Sequence, residues 1–580
     1  MRIKHGIIAC GLAFTLGFAV PTYAAEQAET PAPAVTCRNG SFTGVKLDNG
    51  VYAYLGIPFA KPPVGPLRWK APVDVEDCQG NFKATQFGKR PLQSLLGSDE
   101  DPSTAPMGED CLCVNVWTAD PNIKGKPVMV YCHGGAFGWE STADDIYDLR
   151  YMAAENPDIV FVSAEYRVNA LGYIDLTRVP DGKVYKAADF KDSMQLGLMD
   201  NISALRWVNR NIEAFGGDKG NVTIFGESAG GGISSMLMIA KEAKGLFQRA
   251  IPMSGAANLN ITKQQYERMD QAGALMEATG CKNMDDLMAL TEEQIMEAFK
   301  QPTERVGLEN VGGVDHLNGE PVRGMGGLVP DDPMKAIEEG AGADIDMMIG
   351  TVADEWRYWM PEMERHSKEE NLKAYYEFME LIADRISGSG LITKHDPQID
   401  MKGFMDVAQT ESDEMDARFP NIWKYTEINN EKVFRMPSIN QAEAHVKAGG
   451  KGKTYMYCFA KRSTKDPWLG ACHSVELAYV FLNPYTHSAS GKVDMELARK
   501  VSRAWTNFAR TGNPSIEGIA WPEYDLINRA TMVIGNDNSF QVVNDPKREQ
   551  REFLQNAQPR KSDGGGTRRA GKSYTGTDAP

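Results

Sequence analysis

Residues 126–132 read KPVMVYC and residues 158–164 read DIVFVSA, short apolar runs set between polar stretches. Runs of this length with almost no polar interruption predict strands buried on both faces of a sheet. The same signature recurs at 221–225 (NVTIF), 249–252 (RAIP), 346–350 (DMMIG) and 454–458 (TYMYC). Between them the apolar spacing changes. Over 193–215, Leu198, Ile202, Leu205 and Val208 fall three or four residues apart, the period of a helix with one buried face. Strands buried on both sides and alternating with helices predict an α/β architecture: a mostly parallel central sheet with helices on both faces. A Met-, charge- and aromatic-rich helical stretch over about 355–445 interrupts the alternation and is expected to cap one end of the sheet. No unit of 20–50 residues repeats, which argues against a solenoid or propeller.

The ends of the chain follow a different pattern. Residues 1–25 combine Arg2 and Lys4 with an apolar stretch from Gly6 to Val20 and small residues at Ala24 and Ala25. That is the make-up of a secretory signal peptide, too short to span a bilayer comfortably. Residues 26–34 are expected to form a short leader, 35–555 the folded body, and 556–580 a polar, glycine-rich tail that cannot bury a core. The whole chain of 580 residues carries a formal charge of −16, and both terminal segments are net basic, so the body is more acidic still. This argues against nucleic acid as a partner and against a polybasic membrane-surface role. The expected setting is the periplasm or the medium, with no stable membrane insertion. Export permits disulfides, and Cys37 with Cys78 is the leading pair; Cys132, inside an apolar strand, is expected to be a buried thiol.

One of the strands stops abruptly. NVTIFGESAGGGISSMLMI (221–239) runs from an apolar strand into Gly226-Glu227-Ser228-Ala229-Gly230 and then into a helical pattern. Gly-x-Ser-x-Gly between strand and helix is a nucleophile elbow: the turn holds the serine in a strained conformation, and residues two before and two after must be small. A serine nucleophile needs a base, an acid that orients it, and donors for the oxyanion. The donors are signalled by YCHGGAF (131–137), where small residues let backbone N–H groups point into the site, joined by the N–H of Ala229. Among eight histidines, His473 stands in a glycine-led turn (GACHSVELAYVF, 470–481) after a strand. His133 lies within the oxyanion loop and suits a structural task better, while His316, His366, His395, His445 and His487 sit among polar residues and fit a surface location. The acid is expected between Ser228 and His473 in the chain; IGTVADEW (349–356) offers Asp354 and Glu355, which side-chain chemistry does not separate.

These residues resemble the type-B carboxylesterases, the family of the cholinesterases and the bacterial para-nitrobenzyl esterases. The resemblance runs through YLGIPFAKPPVGPLRWKAP (54–72), EDCLCVNVW (109–117), FGGDKGNVTIFGESAGG (215–231), WTNFARTGNPS (505–515) and WPEYD (521–525). It implies an α/β-hydrolase fold with a helical cap insertion. It implies Ser228 as nucleophile, His473 as base and Glu355, not Asp354, as acid, with Gly135, Ala136 and Ala229 as the oxyanion hole. It also implies that Arg68 with Glu109, and Arg167 with Asp200, are scaffold salt bridges. Two departures matter: the cysteine that usually pairs with the one at Cys111 is missing, and residues 91–110 lack the tryptophan cholinesterases use for choline. The expected function is exported hydrolysis of a small carboxylic ester through an acyl-enzyme, with no metal or other cofactor. An amidase, thioesterase or lactonase on the same site, or an inactive binding protein, are the alternatives. Trp356, Trp359, Met360 and Met363 have the spacing of core packing first and of an acyl-pocket wall second.

Overall fold

The computed structural model describes residues 30–93, 105–257, 263–266, 270–300, 319–325, 327–359, 401–408, 426–465, 469–484 and 489–556. Thirteen strands form one sheet: β1 (Thr30–Cys37), β2 (Gly40–Lys46), β3 (Tyr52–Pro58), β4 (Asn81–Lys83), β5 (Cys113–Thr118), β6 (Lys126–Cys132), β7 (Val160–Ala164), β8 (Gly217–Glu227), β9 (Arg249–Met253), β10 (Asp346–Val352), β11 (Thr454–Phe459), β12 (Ala530–Ile534) and β13 (Phe540–Asn544). Their order is β1-β2-β3-β5-β7-β6-β8-β9-β10-β11-β12-β13, with β4 beside β2. The seven strands from β7 to β12 run parallel, and antiparallel strands close both edges. This is the α/β-hydrolase arrangement that the sequence pattern and the resemblance lead to.

Alternation along the central strands divides the core in two. Val128, Val130, Ile224, Ala250, Ile349 and Met456 face one side, where they pack with α1 (Leu196–Asn211), α2 (Ala229–Ile239) and α3 (Met436–Ala448). Met129, Tyr131, Phe225, Ile251, Met348 and Tyr455 face the other, under Val501, Trp505 and Phe508 of α4 (Met495–Thr511). Each strand therefore presents apolar side chains to both layers, which is why its sequence reads as a continuous apolar run. Asp494 caps α4, accepting from the N–H groups of Glu496 and Leu497 at 3.0 and 3.2 Å, and Gly512 ends it in the left-handed region at φ 74°.

The two scaffold ion pairs are present. Arg68 donates to Glu109 through two bonds of 2.6 Å, and Arg167 to Asp200 at 2.7 and 2.8 Å, all four residues buried. Three expectations need correction. Residues 30–34 are not leader but the start of β1, paired with β2 from Thr30 to Lys46 onward. Cys37 and Cys78 are free thiols, and Cys78 donates to the Asn39 carbonyl at 2.9 Å. His445 is buried, not on the surface: Nδ1 meets Thr454 Oγ1 at 2.7 Å, and burial pushes its imidazole below the ordinary histidine value. Cys132 is the buried thiol expected. Of the cap stretch, a helix at Met401–Val407 and the continuous helical run 426–448 are described, the latter with a π turn at Asn430–Arg435. The signal segment 1–25, the tail from 557, and His316, His366, His395 and His487 lie outside the described residues. Among the described residues no helix is long and apolar enough to cross a membrane.

Candidate active site

Parallel strands in register bring their carboxyl ends to one edge, where open α/β sheets build their sites. Cys132 pairs with Gly226, Glu227 with Met253, Met253 with Gly350, and Val352 with Phe459. The residues that follow each strand therefore collect together. They are the 133–137 loop after β6, Ser228 after β8, Ser254 after β9, and Glu355 after β10.

Ser228 adopts φ 57°, ψ −122°, a conformation an L-residue rarely holds, and its N–H donates to Met253 O at 2.9 Å. Its neighbours must be glycine for steric reasons. A Cβ on Gly226 would collide with Gly230 O, and one on Gly230 with Cys132 O. Helix α2 begins at Ala229, so its positive end faces the serine.

His473 Nδ1 lies 2.6 Å from Glu355 Oε2, both side chains buried. The second oxygen, Glu355 Oε1, accepts from the Ser254 hydroxyl at 2.6 Å and from Val352 N at 3.0 Å. Of the two adjacent carboxylates only Glu355 meets the imidazole: Asp354 turns away to accept Ala471 N at 2.8 Å and to pair with Arg357 at 3.2 Å. Phe434 packs on the imidazole with ring centroids 4.9 Å apart. Ser254, itself at φ 48°, escaped the sequence reading. Its one signal there is a Ser-Gly pair at the end of a strand.

The opposite nitrogen, His473 Nε2, lies 3.2 Å from Glu227 Oε1. Burial pushes the Glu227 carboxyl well above the usual carboxylate range, and the charges of Glu355 and Glu140 push the same way. Burial also raises Glu476 well above that range, and raises Glu140, whose carboxyl accepts from the Tyr147 hydroxyl. The low-dielectric surroundings favour the neutral form of these three acids, while Glu355 is the carboxyl bonded to the histidine.

The 133–137 loop leaves β6 at the same strand-end edge as Ser228. Gly135 O accepts from Gly138 N at 2.8 Å and Trp139 N at 3.0 Å, which turns the Ala136 N–H the other way. Gly135 sits at φ 84°, where a Cβ would collide with the Trp139 carbonyl. Among the described residues, the N–H groups of Gly135, Ala136 and Ala229 make no bond to another protein group. Trp356 is buried and its backbone N–H donates to Asn430 Oδ1 at 2.7 Å; Met360 and Met363 lie outside the described residues, as does the side chain of Trp359. A cavity of about 310 Å³ lined by Asp354, Asn430, Arg435, Met456 and Tyr524 contains neither Ser228 nor His473. No group of His, Cys, Asp and Glu with metal-binding geometry occurs among the described residues.

The model of the carboxylesterase family matches residues 31–554. The chain belongs to the carboxylesterase family. It is 33% identical over 529 residues to the para-nitrobenzyl esterase of Bacillus subtilis, a match spanning 90% of this chain and 98% of that protein. It is also 30% identical to the acetylcholinesterase of Bungarus fasciatus, over 84% of this chain and 80% of the other. A solved para-nitrobenzyl esterase superposes with a TM-score of 0.69 at 30% identity, covering 90% of this chain and 99% of its own. A Geobacillus stearothermophilus carboxylesterase gives 0.72 at 28% identity with the same coverage. As a carboxylesterase, the protein hydrolyses esters.

Proposed function

We propose that this carboxylesterase is an exported serine hydrolase of small carboxylic esters that works through Ser228, His473 and Glu355. The observation that carries the reading is the strained Ser228 elbow beside a buried histidine whose Nδ1 is fixed on Glu355 at 2.6 Å. That bond commits the Nδ1 proton and leaves Nε2 as the base. Ser228 attacks the ester carbonyl as Nε2 takes its proton, and Glu355 stabilises the imidazolium that forms. The tetrahedral oxyanion is received by the N–H groups of Gly135, Ala136 and Ala229, reinforced by the start of α2. Collapse returns the proton from His473 to the departing alcohol and leaves an acyl-Ser228. Water, activated by the same nitrogen, then releases the acid.

Glu227 has a part in this scheme through its charge state. A carboxylate at that position would hold His473 as an imidazolium and deny Ser228 its base, so the neutral form is the productive one. The 1–25 segment supports export, since its basic start, apolar centre and small residues fit a cleavable signal. The purified protein should release p-nitrophenol from short-chain p-nitrophenyl esters, and a series of acyl lengths should size the acyl pocket. Equal rates on matched amides and esters would instead make it an amidase.

A further inference from the structure

The oxyanion donors after β6 are backbone groups, so their aim depends on what fixes the peptide planes that carry them. A trans peptide sets the Gly135 N–H opposite the Gly134 C=O. That carbonyl is held from two directions. His133 Nδ1 lies 3.2 Å from it, and the Tyr166 hydroxyl donates to it at 3.2 Å and to His133 O at 2.9 Å. The other ring nitrogen, His133 Nε2, lies 2.9 Å from Glu165 Oε1. Glu165 Oε2 in turn accepts from Thr142 N at 3.0 Å and Thr142 Oγ1 at 2.9 Å, and Asn115 Nδ2 donates to that hydroxyl at 3.1 Å. Imidazole and carboxylate are sealed from solvent, at 0% and 2% exposure.

His133 thus bonds Gly134 O through Nδ1, while Nε2 stands at ion-pair distance from Glu165 without hydrogen-bond alignment. A neutral imidazole has one N–H and one lone pair, and here its lone pair would point at a carbonyl or a carboxylate. A ring with both N–H groups would donate to Gly134 O and place its charge beside the Glu165 carboxylate. The Tyr166 ring stacks on it with centroids 4.1 Å apart and planes at 21°, a geometry that suits a cation over a π face. Glu140 and Asp144 from the following loop also face the ring, but burial raises both carboxyls, Asp144 to about 7. Glu165, on β7's outgoing end and holding two Thr142 donors, is the counter-charge.

We propose that the buried His133–Glu165 ion pair is the positioning element of the oxyanion hole: Glu165 holds an imidazolium that clamps Gly134 O and so aims the Gly135 N–H at the developing oxyanion. The pair touches neither substrate nor the reacting atoms. It acts by fixing one donor and by setting a positive charge behind it in a dry site, where such a charge is most effective. The proposal rests on the ester-hydrolase reading of the Ser228 site.

The test uses the full mature protein and Glu165→Gln, with His133→Gln as the second variant. Removing one oxyanion donor costs about 100- to 1000-fold in kcat, and loosening one should cost less, about 10- to 100-fold. The expected result is that loss in kcat on a p-nitrophenyl ester with KM within about two-fold, and a proportional loss of affinity for an aryl trifluoromethyl ketone, whose serine adduct carries the oxyanion. In the parent protein labelled with 15N-histidine, both nitrogens of His133, assigned by their loss in His133→Gln or by a bond-correlated spectrum, should be protonated at pH 7. A variant with kcat within two-fold of the parent, or one that loses kcat but binds the ketone as tightly, overturns the proposal. So does a His133 with a single N–H, a readout on the parent that stands even if neither variant folds. Failure of the parent on every ester would defeat the hydrolase reading itself, and the His133 spectrum would still decide the ion pair.

Discussion

Ser228 spends its place in a left-handed conformation, and the structure supports that strain with glycines two residues away on either side. Ser228→Ala should lower kcat by about 10⁴-fold or more while the protein folds normally, as measured by ester hydrolysis beside a thermal melt. The neighbouring carboxylates give a sharper contrast. Glu355→Gln should lower kcat by about 10²- to 10⁴-fold because the imidazolium loses its counter-charge, whereas Asp354→Asn should leave kcat within about five-fold and act mainly on stability through Ala471 and Arg357. Equal losses in the two variants would contradict the assignment. Ser228 and His473 were legible because a strained turn and a glycine-led loop leave local marks in the sequence. Asp354 and Glu355 were separable by resemblance but not by local chemistry, since both follow the same strand. Ser254, Glu227 and Glu165 were not legible as members of the site. Their roles arise from contacts with residues that the fold brings from 23 to 246 positions away, such as Ser254 with Glu355 and Glu165 with Thr142.

The central strands and the sheet edges behave differently as elements. Strands β6 to β11 are buried from both sides, and every one that carries the site was visible as an apolar run. The edges were not. β1 exposes most of its residues and contains two prolines, and β13 is largely exposed, so neither has an apolar run to announce it. This is why residues 30–34 read as leader although they pair with β2. The helix that supports the far layer, α4, depends on its ends: Asp494→Ala removes the side chain that satisfies two N–H groups and should cost about 1 kcal/mol in chemical denaturation. At the elbow the constraint is steric. Gly230→Ala should destabilise the protein by more than about 2 kcal/mol, since the added methyl meets a strand carbonyl that cannot retreat without breaking the sheet.

Across the whole molecule the acidic surplus continues into the interior. Glu227 and Glu476 are buried and Glu140 is half-buried around His473, with carboxyls raised above their ordinary range, chiefly by desolvation. A carboxyl raised in the folded state binds its proton more tightly there than in the unfolded chain. The stability this group supports is complete below its unfolded value, near 4.5, and falls as pH rises towards the folded one. Glu476→Gln should therefore stabilise the protein by roughly 1–3 kcal/mol at pH 8 and by nearly nothing at pH 4, as read from urea unfolding at the two pH values. A gain of equal size at both would contradict burial as the cause. Export makes its own prediction: expressed with residues 1–25 in a Gram-negative host, the protein should be recovered outside the cytoplasm with a new N-terminus at or next to Glu26, by mass spectrometry. The most direct measurement is the site of covalent trapping. A fluorophosphonate ester should inactivate the protein with one adduct per chain, on the peptide that contains Ser228, at a rate that falls steeply in His473→Ala. An adduct on another residue, or full esterase activity in a protein whose Ser228 is phosphonylated, would contradict the account.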